Sequence, residues 1–423
     1  MDEISDEMQD IRQRPPKRRV GPRVLYLPKH QALSSVPAPF PLARTVTTAT
    51  ARIRPPRSRA LSSLLVLLLV VIANMGMQLD RRALDVASDT SWALRRVARC
   101  ESLGRVPDVL YVGSSRTVYA ADAALIDRLM RQRGGPDTLG CNAGVFGATF
   151  EEDYYTLKRF FEDGYAPKLI VETIWEFNLN DHARSPADGL PSALRRIQAV
   201  ADLADLPALR PELDALPETA SASRTLDFAL AKLLPMYGDR EGLLQRVCVV
   251  QSLSQCAAHT SAVGSLDQRR YQSADRQGFV AVTDESLAAP YPDGPADWPA
   301  AERAYLARYN YDFHIGGTQP QWLARLIALA NSRRVPVVLI ATPLHSLYFR
   351  YALGRPGDWP AIIGYLRAFA ATHGVAFYDE SQAPGYGDGD FWEPSHLNAS
   401  GARKFSTWLA VVVKLALGLR AAR

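Results

Sequence analysis

Short apolar runs alternate with amphipathic stretches along most of this chain, and the two periods give different elements. Residues 109–112 form a compact run of Val, Leu and Tyr that stops on a glycine, which predicts a buried strand. Residues 123–131 carry apolar positions at helical spacing, with Asp122 placed to cap them. A short strand over 138–141, a helix over 150–163 with its aromatic residues on one face, and a strand over 169–174 follow. The alternation resumes late, with a helix over 321–332, a strand over 335–341, a helix over 359–372 and a strand over 375–378. An amphipathic helix over 402–417 closes the chain, and another over 83–99 leads into the first strand. Five short apolar strands with intervening helices predict an α/β fold: a parallel sheet covered on both faces, with right-handed crossovers. Between the third and fourth strands lie about 150 residues, far more than an ordinary connection. That block, roughly 180–320, is rich in Ala, Leu, Asp and Pro and reads as a mainly helical insertion, a lid or a substrate platform.

One apolar run belongs to neither period. Residues 60–79 contain no charge, and a helix of 20 residues spans about 30 Å, the thickness of a bilayer core. A secretory signal peptide is the competing reading, but the run starts after residue 59 and no clear cleavage motif follows. Arg52, Arg54, Arg57 and Arg59 precede the run, while only Arg81 and Arg82 follow closely, which favours a cytoplasmic N-terminus. Residues 1–59 carry 12 Lys/Arg against 5 Asp/Glu and are broken up by proline, so they read as a disordered basic tail. Their net +7 within a whole-chain +5 leaves −2 for residues 60–423, which argues against a nucleic-acid surface. The expected organisation is therefore tail 1–59, transmembrane helix 60–79 and exported domain 80–423.

Four cysteines suit an exported domain. Cys248 and Cys256 lie eight apart and are a candidate disulfide, the alternative being two buried thiols. Cys100 and Cys141 flank the first βαβ unit. No Cys/His cluster has metal-ligand spacing, so neither metal nor cofactor is expected.

Three stretches carry chemistry. The first strand ends in Gly113-Ser114-Ser115-Arg116, a turn that can display a serine hydroxyl and aim backbone N–H groups at one point. The second strand runs into NAGVFG, with Gly147 ahead of a helix. Near the C-terminus, Glu393-Pro394-Ser395-His396 sets an acid three residues before a histidine, on a loop just ahead of the terminal helix. Each falls at or beyond the carboxyl end of a strand, the edge at which open α/β sheets assemble their sites.

The set resembles the SGNH (GDSL-like) hydrolase family. Gly113-Ser114-Ser115 matches its first block with Ser in the Asp position, Gly147 its second, and Glu393–His396 its last, with Glu for Asp. Ala341–Pro343 and the HLNASGARKF that starts at His396 are also similar to the family. In strict register Glu176 stands where an oxyanion asparagine belongs, and Asn178 or Asn180 a little downstream can take that role. The resemblance implies a flavodoxin-like three-layer, five-stranded parallel sheet. It also implies a triad of Ser115, His396 and Glu393, with Asp390 as a substitute acid, and an oxyanion site of Gly147 with Asn178 or Asn180. Trp175, Trp392 and His345 flank this site and are candidate substrate contacts. With the anchor, the resemblance implies a single-pass protein of the bacterial inner membrane with a periplasmic or extracellular domain. Its expected work is ester hydrolysis or O-acyl transfer on an acylated glycan or other envelope polymer, with a polytopic membrane O-acyltransferase as partner. A glycan-binding or scaffold module without catalysis is the rival, and a lipid or thioester hydrolase would use the same chemistry.

Overall fold

The computed structural model describes residues 92–180, 200–214, 218–233, 273–283, 314–351 and 358–421, with single positions at 68, 72 and 197. The expected tail lies outside the described residues, as does the span 60–79 apart from Leu68 and Ile72, which are helical and exposed. Among the described residues no helix is long and apolar enough to cross a membrane. Cys248 and Cys256 also lie outside them.

Five strands form one all-parallel sheet: β1 (Val109–Gly113), β2 (Gly140–Asn142), β3 (Leu169–Ile174), β4 (Val337–Ala341) and β5 (Ala376–Asp379). Their spatial order is β2-β1-β3-β4-β5, the flavodoxin-like order of an α/β sheet. β1, β3 and β4 are buried along their whole length, which is why they read as unbroken apolar runs rather than as alternation.

The pleat sends alternate side chains to two helical layers. Leu110, Val112, Ile170 and Leu339 pack against α1 (Trp92–Glu101), α4 (Phe150–Glu162), α7 (Gln319–Ser332) and α9 (Asp358–His373). Val109, Tyr111, Val171 and Ile340 pack against α3 (Ala123–Gln132) and α10 (Ala399–Ala421) on the other face. The predicted cap holds: the Asp122 carboxylate accepts from the Leu125 N–H at 2.9 Å. Between these elements a six-residue helix, α2 (Ser115–Ala120), follows β1 directly, and another, α8 (Ser346–Tyr351), follows β4.

The described residues of the insertion include two helices, α5 (Leu206–Asp214) and α6 (Glu218–Leu233). Residues 273–283 depart from the helical expectation and form a non-helical strap, turned at 275–279, against the edge strand β2. The Asn142 N–H donates to Gln277 O at 2.8 Å, and Gln277 Nε2 reaches Gly140 O at 2.8 Å and Asp127 at 2.7 Å. Arg99 Nη1 holds Ala274 O and Asp275 O from outside. The strap thus supplies partners to an edge that would otherwise present bare N–H and C=O groups. A disulfide joins Cys100 on α1 to Cys141 on β2, with both sulfurs buried.

Candidate active site

β1 touches β2 on one side and β3 on the other, while the chain visits them in turn. This switch of direction opens a crevice at the carboxyl edge. Gly113 makes the turn out of β1 possible. Its φ is +125°, and a Cβ there would lie 2.6–2.8 Å from Thr117 Oγ1, Thr173 O and Thr173 Oγ1. Ser114 then caps α2, its hydroxyl accepting from the Arg116 N–H at 3.4 Å, and Ser115 becomes the first residue of the helix. Of the two serines, one is spent on the cap and the other is displayed.

The partner of Ser115 arrives from 281 residues away. Its Oγ lies 2.7 Å from His396 Nε2. Phe391–Glu393 and His396–Leu397 form a small antiparallel hairpin, β6 and β7, in which Glu393 and His396 face each other across the ladder. A tight hairpin therefore converts a sequence spacing of three into a direct bond: His396 Nδ1 donates to Glu393 Oε1. With Nδ1 carrying that proton, Nε2 is the acceptor for the Ser115 hydroxyl. The Ser395 hydroxyl and N–H also donate to Glu393 Oε1, at 2.6 and 3.2 Å. Burial alone would lift the Glu393 carboxyl, but the charge that the imidazole of His396 gains on taking a second proton, with hydrogen bonds from His396 and Ser395, outweighs that and holds it below its usual range. Asp390 is engaged elsewhere, by Lys404 Nζ at 2.7 Å and Ser400 Oγ at 3.0 Å.

The imidazole is enclosed by aromatic rings. Trp392 stacks on it with centroids 5.4 Å apart and planes 18° apart, and Tyr119, one turn after Ser115 on α2, meets it edge-on at 5.4 Å. Gly147 sits on the loop after β2 with φ +65°. That loop is drawn under the nucleophile turn, since the Val145 N–H donates to Gly113 O at 2.8 Å. Asn178 joins it from the 3-10 turn after β3 (Glu176–Leu179), donating through Nδ2 to Ala148 O at 3.1 Å.

Of the remaining candidates, Asn180 and Trp175 stand apart from this cluster, whereas the His345 N–H donates to Pro394 O of the hairpin at 3.0 Å. Asn180 closes the neck of the insertion: it bridges Ile315, and its Oδ1 accepts from the His314 N–H at 2.8 Å. His345 is buried, with Nε2 2.7 Å from Asp388 Oδ1 and Nδ1 accepting from the Leu347 N–H. Trp175 is half-buried and packs on Phe177 at 5.2 Å. Sequence reasoning named neither Arg116 nor Tyr348 as part of the site. Arg116 and Glu176 form a buried, two-pronged ion pair, and the Tyr348 hydroxyl donates to the same carboxylate. The signal available was the arginine directly behind the serine and a charge at residue 176 between Trp175 and Phe177.

The chain matches no protein-family model and no curated protein, so the site stands on its own geometry.

Proposed function

We propose that this chain is a membrane-anchored serine esterase or O-acyltransferase of the SGNH type, acting on acyl esters of an extracytoplasmic polysaccharide or another envelope polymer. The observation that carries the reading is the 2.7 Å approach of Ser115 Oγ to His396 Nε2, with His396 Nδ1 held by the buried, ionised Glu393.

In this reading His396 takes the proton from Ser115 Oγ as the oxygen attacks an ester carbonyl. The Ser115 and Gly147 N–H groups and the second amide N–H of Asn178 are the donors we assign to the oxyanion. Collapse breaks the bond to the leaving alcohol, which receives the proton from His396, and leaves the acyl group on Ser115. Water then takes the acyl group in an esterase and a sugar hydroxyl does so in a transferase. Trp392 braces the imidazole and offers an aromatic surface at the same place, a feature suited to a sugar ring. The Cys100–Cys141 bond supports an oxidising compartment, hence export past the membrane run. A polytopic membrane acyltransferase is the partner we expect to load the donor.

The test is reaction of the full chain with a fluorophosphonate probe, with the adduct located by mass spectrometry. A single adduct on Ser115, absent from Ser115→Ala and suppressed in His396→Ala, is the expected result. A folded protein that takes up no probe overturns the proposal and leaves a binding module.

A further inference from the structure

We infer that Glu176 is a positioning residue, a buried carboxylate hub that sets the nucleophile turn against the oxyanion loop and the histidine hairpin. The inference rests on the hydrolytic reading above. Arg116 and Glu176 are 3% and 1% exposed, and Arg116 Nη2 lies 2.9 Å from Glu176 Oε1 while Nη1 contacts Oε2. The Tyr348 hydroxyl donates to Oε1, and its ring lies 5.1 Å from the guanidinium carbon. These three side chains belong to the loops after β1, β3 and β4, which share no covalent closure at that edge.

Each spoke ends next to a reacting group. Arg116 adjoins Ser115 on a helix of six residues, too short to hold its own orientation. Glu176 starts the 3-10 turn that carries Asn178. Tyr348 lies in the first turn of α8, where its N–H donates to His345 O at 2.9 Å and the His345 N–H donates to Pro394 O, inside the catalytic hairpin, at 3.0 Å. The path is continuous from nucleophile to oxyanion turn to acid–base pair. Stability does not account for it, because a buried ion pair can be exchanged for apolar packing at little or no net cost. What apolar packing lacks is the fixed two-bond geometry of a guanidinium on a carboxylate.

The test is the phosphonylation rate of Ser115 in the full chain, separated into probe affinity and maximal rate, alongside the melting temperature. The double variant Arg116→Met/Glu176→Leu is expected to fold, with its melting temperature lowered by a few degrees because the buried Tyr348 hydroxyl loses its acceptor, and to lose about 10²-fold in maximal rate, the cost of a displacement of about 1 Å at the reacting atoms. Probe affinity should stay unchanged. Tyr348→Phe, which keeps the ring, should lose roughly five- to tenfold in the same parameter. A folded double variant that labels at the wild-type rate overturns the inference and makes the pair a core contact. Should that variant fail to fold, wild-type labelling of Tyr348→Phe overturns it instead. A wild-type chain that does not label at Ser115 brings down the hydrolytic reading and this inference with it.

Discussion

Breaking the Cys100–Cys141 bond has a cost that can be worked from its place in the chain. The bond closes a loop of 41 residues that holds β1, α2, α3 and the start of β2 and ties them to the end of α1. The loop-entropy relation gives about 4 kcal/mol for that length, a large share of the roughly 5–15 kcal/mol by which domains are stable. For a chain of this size the loss corresponds to a fall in melting temperature of roughly 5 °C. The double variant Cys100→Ala/Cys141→Ala, made beside wild type recovered from an oxidising compartment, gives the comparison by calorimetry. Alkylation of the unreduced, denatured wild type should leave both residues unmodified. Labelling by the probe should weaken as well, because Cys141 precedes Asn142, whose Nδ2 holds the end of α2 through Thr117 O at 2.7 Å and Ala121 O at 2.9 Å. Free thiols at both positions, or a melting temperature within about 2 °C of wild type, would refute the reasoning.

Other consequences can be read as directly. Glu393→Gln keeps the shape of the acid but removes the charge that orients the imidazole, so labelling of Ser115 should fall by about 10²-fold or more, with melting little changed; equal rates would show that Glu393 is not the acid. Gly113→Ala puts a methyl against a backbone carbonyl at positive φ and should destabilise by roughly 2–4 kcal/mol, read from urea unfolding; a neutral substitution would contradict the strained turn. Gly278→Ala drives a methyl into Asn142 O from the strap and should loosen the β2 edge, seen as faster amide exchange over 140–147. Burial, with the charge of Asp153 beside it, pushes the Glu172 carboxyl well above the ordinary carboxylate value of 4.5. The native state therefore holds that proton more tightly than the unfolded chain, and stability is full below pH 4.5 and is lost as pH rises through the raised value. Glu172→Gln should flatten that decline, and parallel melting curves against pH would refute it.

How much the sequence disclosed depended on the length of the signal. β3 begins and ends where its pattern does, because six residues buried on both faces read as one run. β2 starts two residues later and ends one residue later than its pattern, since three residues between loops carry almost no periodicity. Helices α3, α4, α7 and α9 were legible from their apolar spacing, with ends moved by one or two residues. α2, α8 and the β6–β7 hairpin were not, being no longer than about two helical turns or three pleats. At the site, Ser115, Glu393 and His396 could be picked out because each sits beside its own local cue, a glycine turn or a spacing of three. The Arg116–Glu176–Tyr348 hub joins residues 60 and 172 apart, and the disulfide joins residues 41 apart. Single-chain patterns do not encode such separations, and that is where the reading from sequence stopped.

The proposal of a working site over a scaffold draws support, on energetic grounds, from the polar groups at the carboxyl edge. Glu393 is 5% exposed and stays ionised, which costs desolvation that only His396 and Ser395 offset. Thr117 is tied to Val112 O at 3.0 Å and to Thr173, so the floor of the nucleophile turn is itself cross-linked to β3. A binding surface needs none of this: aromatic rings and a few exposed amides would hold a sugar without a buried carboxylate aligned through an imidazole onto one hydroxyl. Marginal stability leaves little room for buried charge that does no chemistry, and apolar side chains would fill the same space more cheaply. The half-buried Ser115 is the one hydroxyl in the cluster to which that alignment leads, and a hydroxyl so aligned is organised to give up its proton.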